Sequence, residues 1–433
     1  MSFTPGRSRW SDVGLATAAR GVSSCGDFLA ASALTLALQS AGAGGLAVSG
    51  LLIAATLPLV VLAPLTGRLA DRVSSRTLLI GAGLAQAAIC LLLAYTRHPT
   101  LVIGLVALLA AGLAVTQPVL SALVPAMVRP ADLPRASALN QTAGTLGALA
   151  GPALAGVLVG GFGTRLPLLL DAASYLVLVA AGLLIRTRRG GARKTAPTTY
   201  AGEPTRPEAA TATGWRLRRD PLLFAMVASL AGVFGAVGAI NVIEVFFIRE
   251  TLGSTTTVYG LVTGAWMLGS VLGAWVFAPL ARRITDDGRL LGAGLFLLGG
   301  CCVAVLVSAA VPSAWVLMPI WLLGGVTNGG DNVLNNVLLA RRVPEAARGR
   351  AYAVFGSSGQ GASMAGLAMG GILLELAEPR PLVALCGLAG TLTVAAFAVP
   401  VARAARAERA AAARRDAEAP GVGAGLATPA AAR

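Results

Sequence analysis

Apolar runs of about twenty residues recur along the whole chain, separated by short charged or Pro/Gly-rich breaks. Crossing a hydrocarbon core of about 30 Å takes roughly 20 apolar residues in a helix, so each run is a candidate span. The first six lie near 13–39, 46–66, 77–96, 101–120, 137–160 and 166–185. After a polar stretch, six more lie near 221–248, 258–280, 290–311, 315–339, 351–376 and 381–401. Strands of a membrane barrel would be shorter and would alternate, and these runs do neither. The pattern predicts an all-α membrane protein, with twelve transmembrane helices in two pseudo-symmetric six-helix bundles. An N-terminal bundle over 1–185 and a C-terminal bundle over 220–402 would be joined by a linker, 186–219, and followed by a tail, 403–433. The tail is rich in Ala and Arg, which favours continuing the last helix for some turns.

Composition strengthens this reading, because 433 residues with 56% hydrophobic and 12% charged side chains cannot clothe a soluble globule of that size. A formal charge of +15 would suggest nucleic acid in a soluble chain, yet the basic residues sit in the breaks between spans. No nucleic-acid partner is expected. If both termini are cytoplasmic, 29 of the 34 Lys and Arg fall on that side and only Arg97, Arg165, Arg249 and Arg380 on the other. Arg20 falls within the first span. Such segregation is the charge rule for multi-pass proteins and points to the cell (inner) membrane. Arg7 and Arg9 before the first run could also suit a signal peptide, but the later spans favour a retained helix. The linker is expected to be solvated, with Arg216, Arg218 and Arg219 able to touch lipid headgroups.

Cys25, Cys90, Cys301, Cys302 and Cys386 lie in apolar spans without ligand spacing and read as packing residues. The single histidine, His98, sits in a short loop. No metal site and no cofactor are expected.

The two halves repeat. Ala63-Pro64-Leu65, Arg68 and Asp71 recur 215 residues later as Ala278-Pro279-Leu280, Arg283 and Asp286. The same shift carries Arg135 onto Arg350 and Gly144, Gly151 and Gly156 onto Gly359, Gly366 and Gly371. Parallel repeats related by an axis along the membrane normal are used by transporters to alternate access to a central site.

Two local motifs carry a resemblance to the major facilitator superfamily. Gly67-Arg68-Leu69-Ala70-Asp71-Arg72-Val73-Ser74-Ser75-Arg76 is similar to that superfamily's signature after the second span, departing from it at Ser74 and Ser75. In physical terms, Gly67 permits close backbone approach, Asp71 precedes a helix start that attracts a carboxylate, and Arg72 and Arg76 can hold it. With Arg283 and Asp286 in the repeat, these residues would form an ionic gate at the cytoplasmic mouth, or serve as topological charge alone. In the fifth span, Gly147-Ala148-Leu149-Ala150-Gly151-Pro152-Ala153-Leu154-Ala155-Gly156 resembles the motif of the superfamily's exporters, with Ala155 in place of a glycine. Small residues four apart let helices approach, and Pro152 removes a backbone donor. Shorter likenesses point to the branch containing the enterobactin exporter and macrolide efflux pumps. They are Arg20 with Gly26-Asp27, the region from Asn140 to Gly151-Pro152, Asp171-Ala172-Ala173, and Arg348-Gly349-Arg350.

Charge inside the bilayer costs about 2.5 to 3.5 kcal/mol per residue at a helix centre, so the few intramembrane charges are functional candidates. Arg20 and Asp27 share one face of the first span, and Glu244 with Asn241 occupies the seventh. Desolvation disfavours a charged carboxylate, so Asp27 and Glu244 are the leading proton or cation sites, with substrate competing for the same group. An interhelical hydrogen bond or an ion pair with an arginine is the alternative. Asp331, among Asn328, Asn332, Asn335 and Asn336, is expected to form a wet polar cap, and Asp171 to stabilise a helix start.

No phosphate-cradling Gly-x-x-x-x-Gly-Lys-Ser/Thr loop occurs, and the single lysine, Lys194, lies in the linker. Energy must come from a gradient. The expectation is a secondary active transporter, not an enzyme, that acts as a monomer and exports a small apolar or amphipathic molecule by proton-coupled alternating access. Drugs, siderophores and secondary metabolites are the substrate classes that the resemblance implies. An importer, a lipid flippase, or a non-transporting membrane sensor or assembly protein are the rival readings. The gate reading makes its own forecast: Asp71→Asn slows transport in a vesicle assay while the amount of membrane-inserted protein stays the same.

Overall fold

In the computed structural model, the described residues are 8–62, 65–66, 69, 73–96, 98–187, 217, 220–344 and 347–418, with the side chains of 130, 134, 348–350 and 411–418 excepted. They are helical almost throughout. The first half comprises α1 (Trp10–Ser40), α2 (Gly45–Val61), α3 (Ser75–Tyr95), α4 (Pro99–Met127), α5 (Leu133–Phe162) and α6 (Arg165–Leu184). The second begins with α7 (Pro221–Val237), which breaks and resumes as a short helix, Ile240–Phe246, and a π-helical turn, Phe247–Thr251. It continues with α8 (Thr256–Arg283), α9 (Asp287–Ser308), α10 (Ala314–Arg342), α11 (Arg348–Leu374) and α12 (Pro379–Glu418).

Polar residues in the breaks start several of the helices, each accepting a bond from an otherwise orphaned backbone N–H. Ser74 accepts from Thr77 at 3.2 Å, Asp220 from Leu223 at 3.1 Å, Thr255 from Val258 at 3.3 Å and Asp286 from Arg289 at 2.8 Å. Nine described spans are long and apolar enough to cross a membrane. The exceptions have physical causes. The described helix α2 has 17 residues and ends at Val61, while α10 and α11 carry Asn, Ser, Gln and Gly on faces that meet a cavity rather than lipid.

Helix packing repeats between halves. In the first, α1 packs on α5 and α6, α3 on α4 and α6, and α2 on α4; in the second, α7 packs on α11 and α12, α9 on α10 and α12, and α8 on α10. The shift of 215 residues read from sequence separates Leu133 from Arg348, the first residues of α5 and α11. The halves meet through α5 on α8 and α2 on α11, two contacts that a pseudo-two-fold axis exchanges.

In lipid no solvent squeezes helices together, so close approach has to come from small side chains. The α8–α10 pair is the extreme case. A Cβ at Gly269 or Gly273 would stand 2.1 or 2.0 Å from the carbonyl oxygens of Leu322 and Val326, and one at Gly325 or Gly329 would stand 2.2 or 1.9 Å from those of Trp266 and Ser270. The α1–α5 pair uses Gly147, where a Cβ would lie 2.2 Å from the Gly21 oxygen. Large apolar side chains such as Trp275, Phe296 and Leu392 stay exposed around the outside, as they should where the surroundings are hydrocarbon.

Every hydrogen bond that joins the halves, among the described residues, lies at the end away from the termini. Ser49 donates to the Leu367 carbonyl at 2.8 Å and Thr257 to the Gly156 carbonyl at 3.4 Å. Gln39 donates to Glu250 at 3.0 Å while accepting from Arg249 at 3.4 Å. At the end bearing the termini, the side-chain bonds among the described residues stay within each half. Thr187 donates twice to Asp12, at 3.0 and 2.7 Å, and Arg342 binds Asp220 at 2.8 Å and Glu408 at 2.6 Å. Glu408 and its neighbour Arg409, which pairs with Asp286 at 3.0 Å, hold α12 onto the bundle well past the apolar run. The expected extension of the last helix is therefore present to Glu418.

Overpacking a close helix contact costs about 1 to 3 kcal/mol. Gly329→Val is thus expected to lower the melting temperature of the detergent-purified protein by several degrees, whereas Gly292→Ala, at a position with no atom within 4 Å, leaves it unchanged.

Candidate functional site

The seventh span decides where its carboxylate points. α7 stops at Val237, and at Gly238 an added Cβ would lie 2.4 Å from the Phe234 oxygen and 3.1 Å from that of Ser363. The helix restarts at Ile240, and the Asn241 amide donates to the Gly238 carbonyl at 3.1 Å. Beyond this break Glu244 turns into a cavity of about 420 Å³, which Asn241 also lines. Tyr259 on α8 donates to Glu244 Oε1 at 3.3 Å.

All the lining residues belong to the second half. Trp266 and Trp321 meet edge to face, 5.7 Å between ring centres, and Phe234, Met267 and Phe355 complete an aromatic and thioether wall. Asn328, Asn332 and Gln360 add neutral polar groups, and Glu244 is the one charged residue of the lining. Asn332, Asn336, Tyr352 and Gly356, which lead from it to the end bearing the termini, are exposed.

The first half holds a different arrangement. Tyr175 on α6 donates to Asp27 Oδ1 at 2.5 Å, so this carboxylate is held by an interhelical hydrogen bond rather than by Arg20. Directly behind it, Asp171 is fully buried and accepts from Cys90 Sγ at 3.1 Å and from Ser174 at 3.1 Å. Gly26 makes room: a Cβ there would fall 2.3 Å from Asp171 Oδ1. One turn below Cys90, Gln86 is also fully buried, and neither atom of its amide meets a partner among the described residues. Arg20 lies against Gly144 of α5, where an added Cβ would be 3.0 Å from its Nε, and that Nε likewise has no described partner.

Asn241 and Glu244 thus share a cavity, while Asp27 and Arg20 lie in the other half and do not line it. Two expectations need correction. Asp171 does not stabilise a helix start, because α6 begins at Arg165 and places it a turn and a half inside, amid donors from α3 and α6. Asp331 is no wet cap either, since it is buried, bonded by Asn335 at 2.9 Å and packed towards Gly294, while Asn328 and Asn332 line the cavity. Cys90 is a hydrogen-bond donor rather than mere filling. The aromatic wall and both tyrosines were missed. Large aromatics at 259, 266 and 321 amid Gly-rich spans were the available signal.

Of the gate residues, Gly67, Asp71 and Arg72 lie outside the described residues. Arg76 is in the first turn of α3, Arg283 is exposed at the end of α8, and Asp286 caps α9 while pairing with Arg409. The span 5 motif is divided between two contacts. Gly147 and Gly151 pack on α1, whereas the Pro152 carbonyl and Gly156 pack on Gly260 of α8, with 2.9 Å between a Gly156 Cβ and the Gly260 Cα. The motif therefore binds α5 to its own half at one end and to the opposite half at the other.

Residues 14–428 match the family model described as transmembrane secretion effector. The chain belongs to this family of major facilitator transporters. A curated relative in Bacillus subtilis (strain 168), the uncharacterized MFS-type transporter YfiS, is 24% identical over 362 residues, spanning 83% of this chain and 85% of that protein. Solved structures of similar fold include the nucleoside transporter NupG, at 13% identity and TM-score 0.68, covering 90% of this chain and 98% of that one. The POT family transporter PepTSo is similar at 14% identity and TM-score 0.68, covering 92% and 98%. A bacterial homologue of the human lysosomal transporter Spinster, inward-facing and unoccupied, aligns at 13% identity and TM-score 0.65, covering 92% and 95%. At these identities the similarity is one of fold.

Removing the donor from a buried carboxylate costs about 1 to 3 kcal/mol. Tyr175→Phe is expected to destabilise the transporter more than Tyr259→Phe, whose bond to its carboxylate is longer, as read from melting temperatures in detergent.

Proposed function

We propose that the transporter exports a small amphipathic molecule carrying a positive charge, in exchange for protons. The observation behind this reading is the lining of the second-half cavity, in which a lone carboxylate stands among two tryptophans, two phenylalanines and a methionine, with asparagine and glutamine amides beside it. Aromatic faces attract cations and apolar rings alike, and a single acidic group supplies the charge that an organic cation needs. A cation and a proton would compete for Glu244, so that loading one releases the other. Asp27, in the opposite half, is the second proton site, with Tyr175 as its partner.

Placing both termini in the cytoplasm, on the strength of the charge distribution, makes the observed arrangement inward-open. The halves are joined by hydrogen bonds at the far end, and the cavity leads towards the end bearing the termini. Rocking about the α5–α8 and α2–α11 contacts would open the other side. Gly147, Gly151, Pro152 and Gly156 would be the flexible seam of that motion, and Gly67, Asp71, Arg72, Arg76, Arg283 and Asp286 the charges that close the cytoplasmic mouth. The family's description as a secretion effector supports outward movement. The likeness of Arg20, Asp27 and the Gly151-Pro152 region to the enterobactin exporter and macrolide pumps supports a drug or secondary metabolite as cargo.

Everted vesicles with an acid interior test the reading with a panel of lipophilic cations, neutral macrolides and siderophores. Accumulation of cations that collapses with the pH gradient, and that Glu244→Gln reduces at least tenfold, is the expected result. Gradient-independent accumulation, or full activity in Glu244→Gln, would overturn it.

A further inference from the structure

On the outer side of the second half, away from the cavity, a trough of about 870 Å³ runs along the packed pair α9 and α12. Its floor lacks side chains at Gly292 and Gly299, and a Cβ at Gly292 would meet nothing within 4 Å. Exposed Phe296 forms one wall, and Val394, Ala398 and Val401 of α12 form the other. From Gly288 to Val303 the trough follows fifteen helical steps, about 22 Å at 1.5 Å per residue and the length of an extended acyl chain.

One end differs from the rest. Where the trough reaches the end bearing the termini it is lined by Arg289, Arg406 and Arg409. The nearby acidic groups are already engaged: Asp286 pairs with Arg409 at 3.0 Å, and Asp287 with Arg341 at 3.7 Å and Arg342 at 3.3 Å. Arg289 and Arg406 are both exposed, and neither pairs with an acidic side chain among the described residues. Two guanidinium groups with no acidic partner among the described residues therefore stand at one end of a chain-length apolar slot.

We infer that this trough is a binding site for an anionic phospholipid, its acyl chain lying along Gly292 and Gly299 and its phosphate held by Arg289 and Arg406. Guanidinium forks suit phosphate oxygens, and basic sites between transmembrane helices select anionic headgroups over zwitterionic ones. The bound lipid would bridge the first turn of α9 to the extended part of α12, continuing the link that the Asp286–Arg409 pair makes in protein alone.

Native mass spectrometry of the full chain, titrated separately with palmitoyl-oleoyl phosphatidylglycerol and the phosphatidylcholine of the same chains, decides the matter. Wild type is expected to prefer the glycerol lipid by roughly 30-fold, the ratio that about 1 kcal/mol per arginine would give. The double variant Arg289→Ala/Arg406→Ala should bind both lipids equally and Gly292→Leu should weaken both, while melting temperatures without lipid stay at the wild-type value. No preference in wild type, an undiminished preference in the double variant, or equal binding of inorganic phosphate would overturn the proposal.

Discussion

Hydrocarbon neither hydrogen-bonds a polar group nor drives apolar helices together, and the architecture of this transporter follows from that pair of absences. Cohesion comes from backbones brought into contact over glycine, as along Gly269, Gly273, Gly325 and Gly329 between α8 and α10. The intramembrane carboxylates found in the structure are bonded inside the protein: Asp27 by Tyr175, Asp171 by Cys90 and Ser174, Glu244 by Tyr259, and Asp331 by Asn335. Polar groups and glycines are thus the structural elements, and the apolar residues that dominate the composition mostly keep the solvent compatible.

The same constraint shapes the boundary between the halves. Their helices pack in the same pairwise pattern, so one arrangement serves twice, and the two joining contacts are exchanged by the axis between them. Those contacts are narrow and rich in small residues, with Gly156 on Gly260 in one and Ser49 beside Gly371 in the other. A seam of this kind holds without interlocking, which is what a rocking motion requires. The hydrogen bonds that join the halves at one end, centred on Gln39, Arg249 and Glu250, are few and lie at the tips of the helices.

Duplication did not produce identical chemistry. The first half ties Asp27 and the buried Asp171 into a compact network with tyrosine, serine and cysteine, whereas the second opens an aromatic cavity around one glutamate. The difference begins in the backbone: α1 runs unbroken past Asp27, while the corresponding span breaks at Gly238 and swings Glu244 into open space. On the proposed reading, a shared fold with divided labour would place cargo recognition mainly in one half and leave the other half's polar network to respond to it.

Sequence alone determined the class of solvent, the positions of the spans, the sorting of charge between the two ends and the internal repeat, because each is written in local composition or in a fixed offset. It also singled out Asp27 and Glu244, since a charge within an apolar run is conspicuous whatever surrounds it. The partners of those charges were decided only by tertiary structure. Tyr175 stands 148 residues from Asp27, and nothing in either neighbourhood indicates that α1 and α6 bring them together. Asp171 and Asp331 were misread for the same reason: a residue's depth and donors depend on which helices pass beside it. The cavity is further still from sequence, being space left between five helices by a break at Gly238 and by where Trp266 and Trp321 meet.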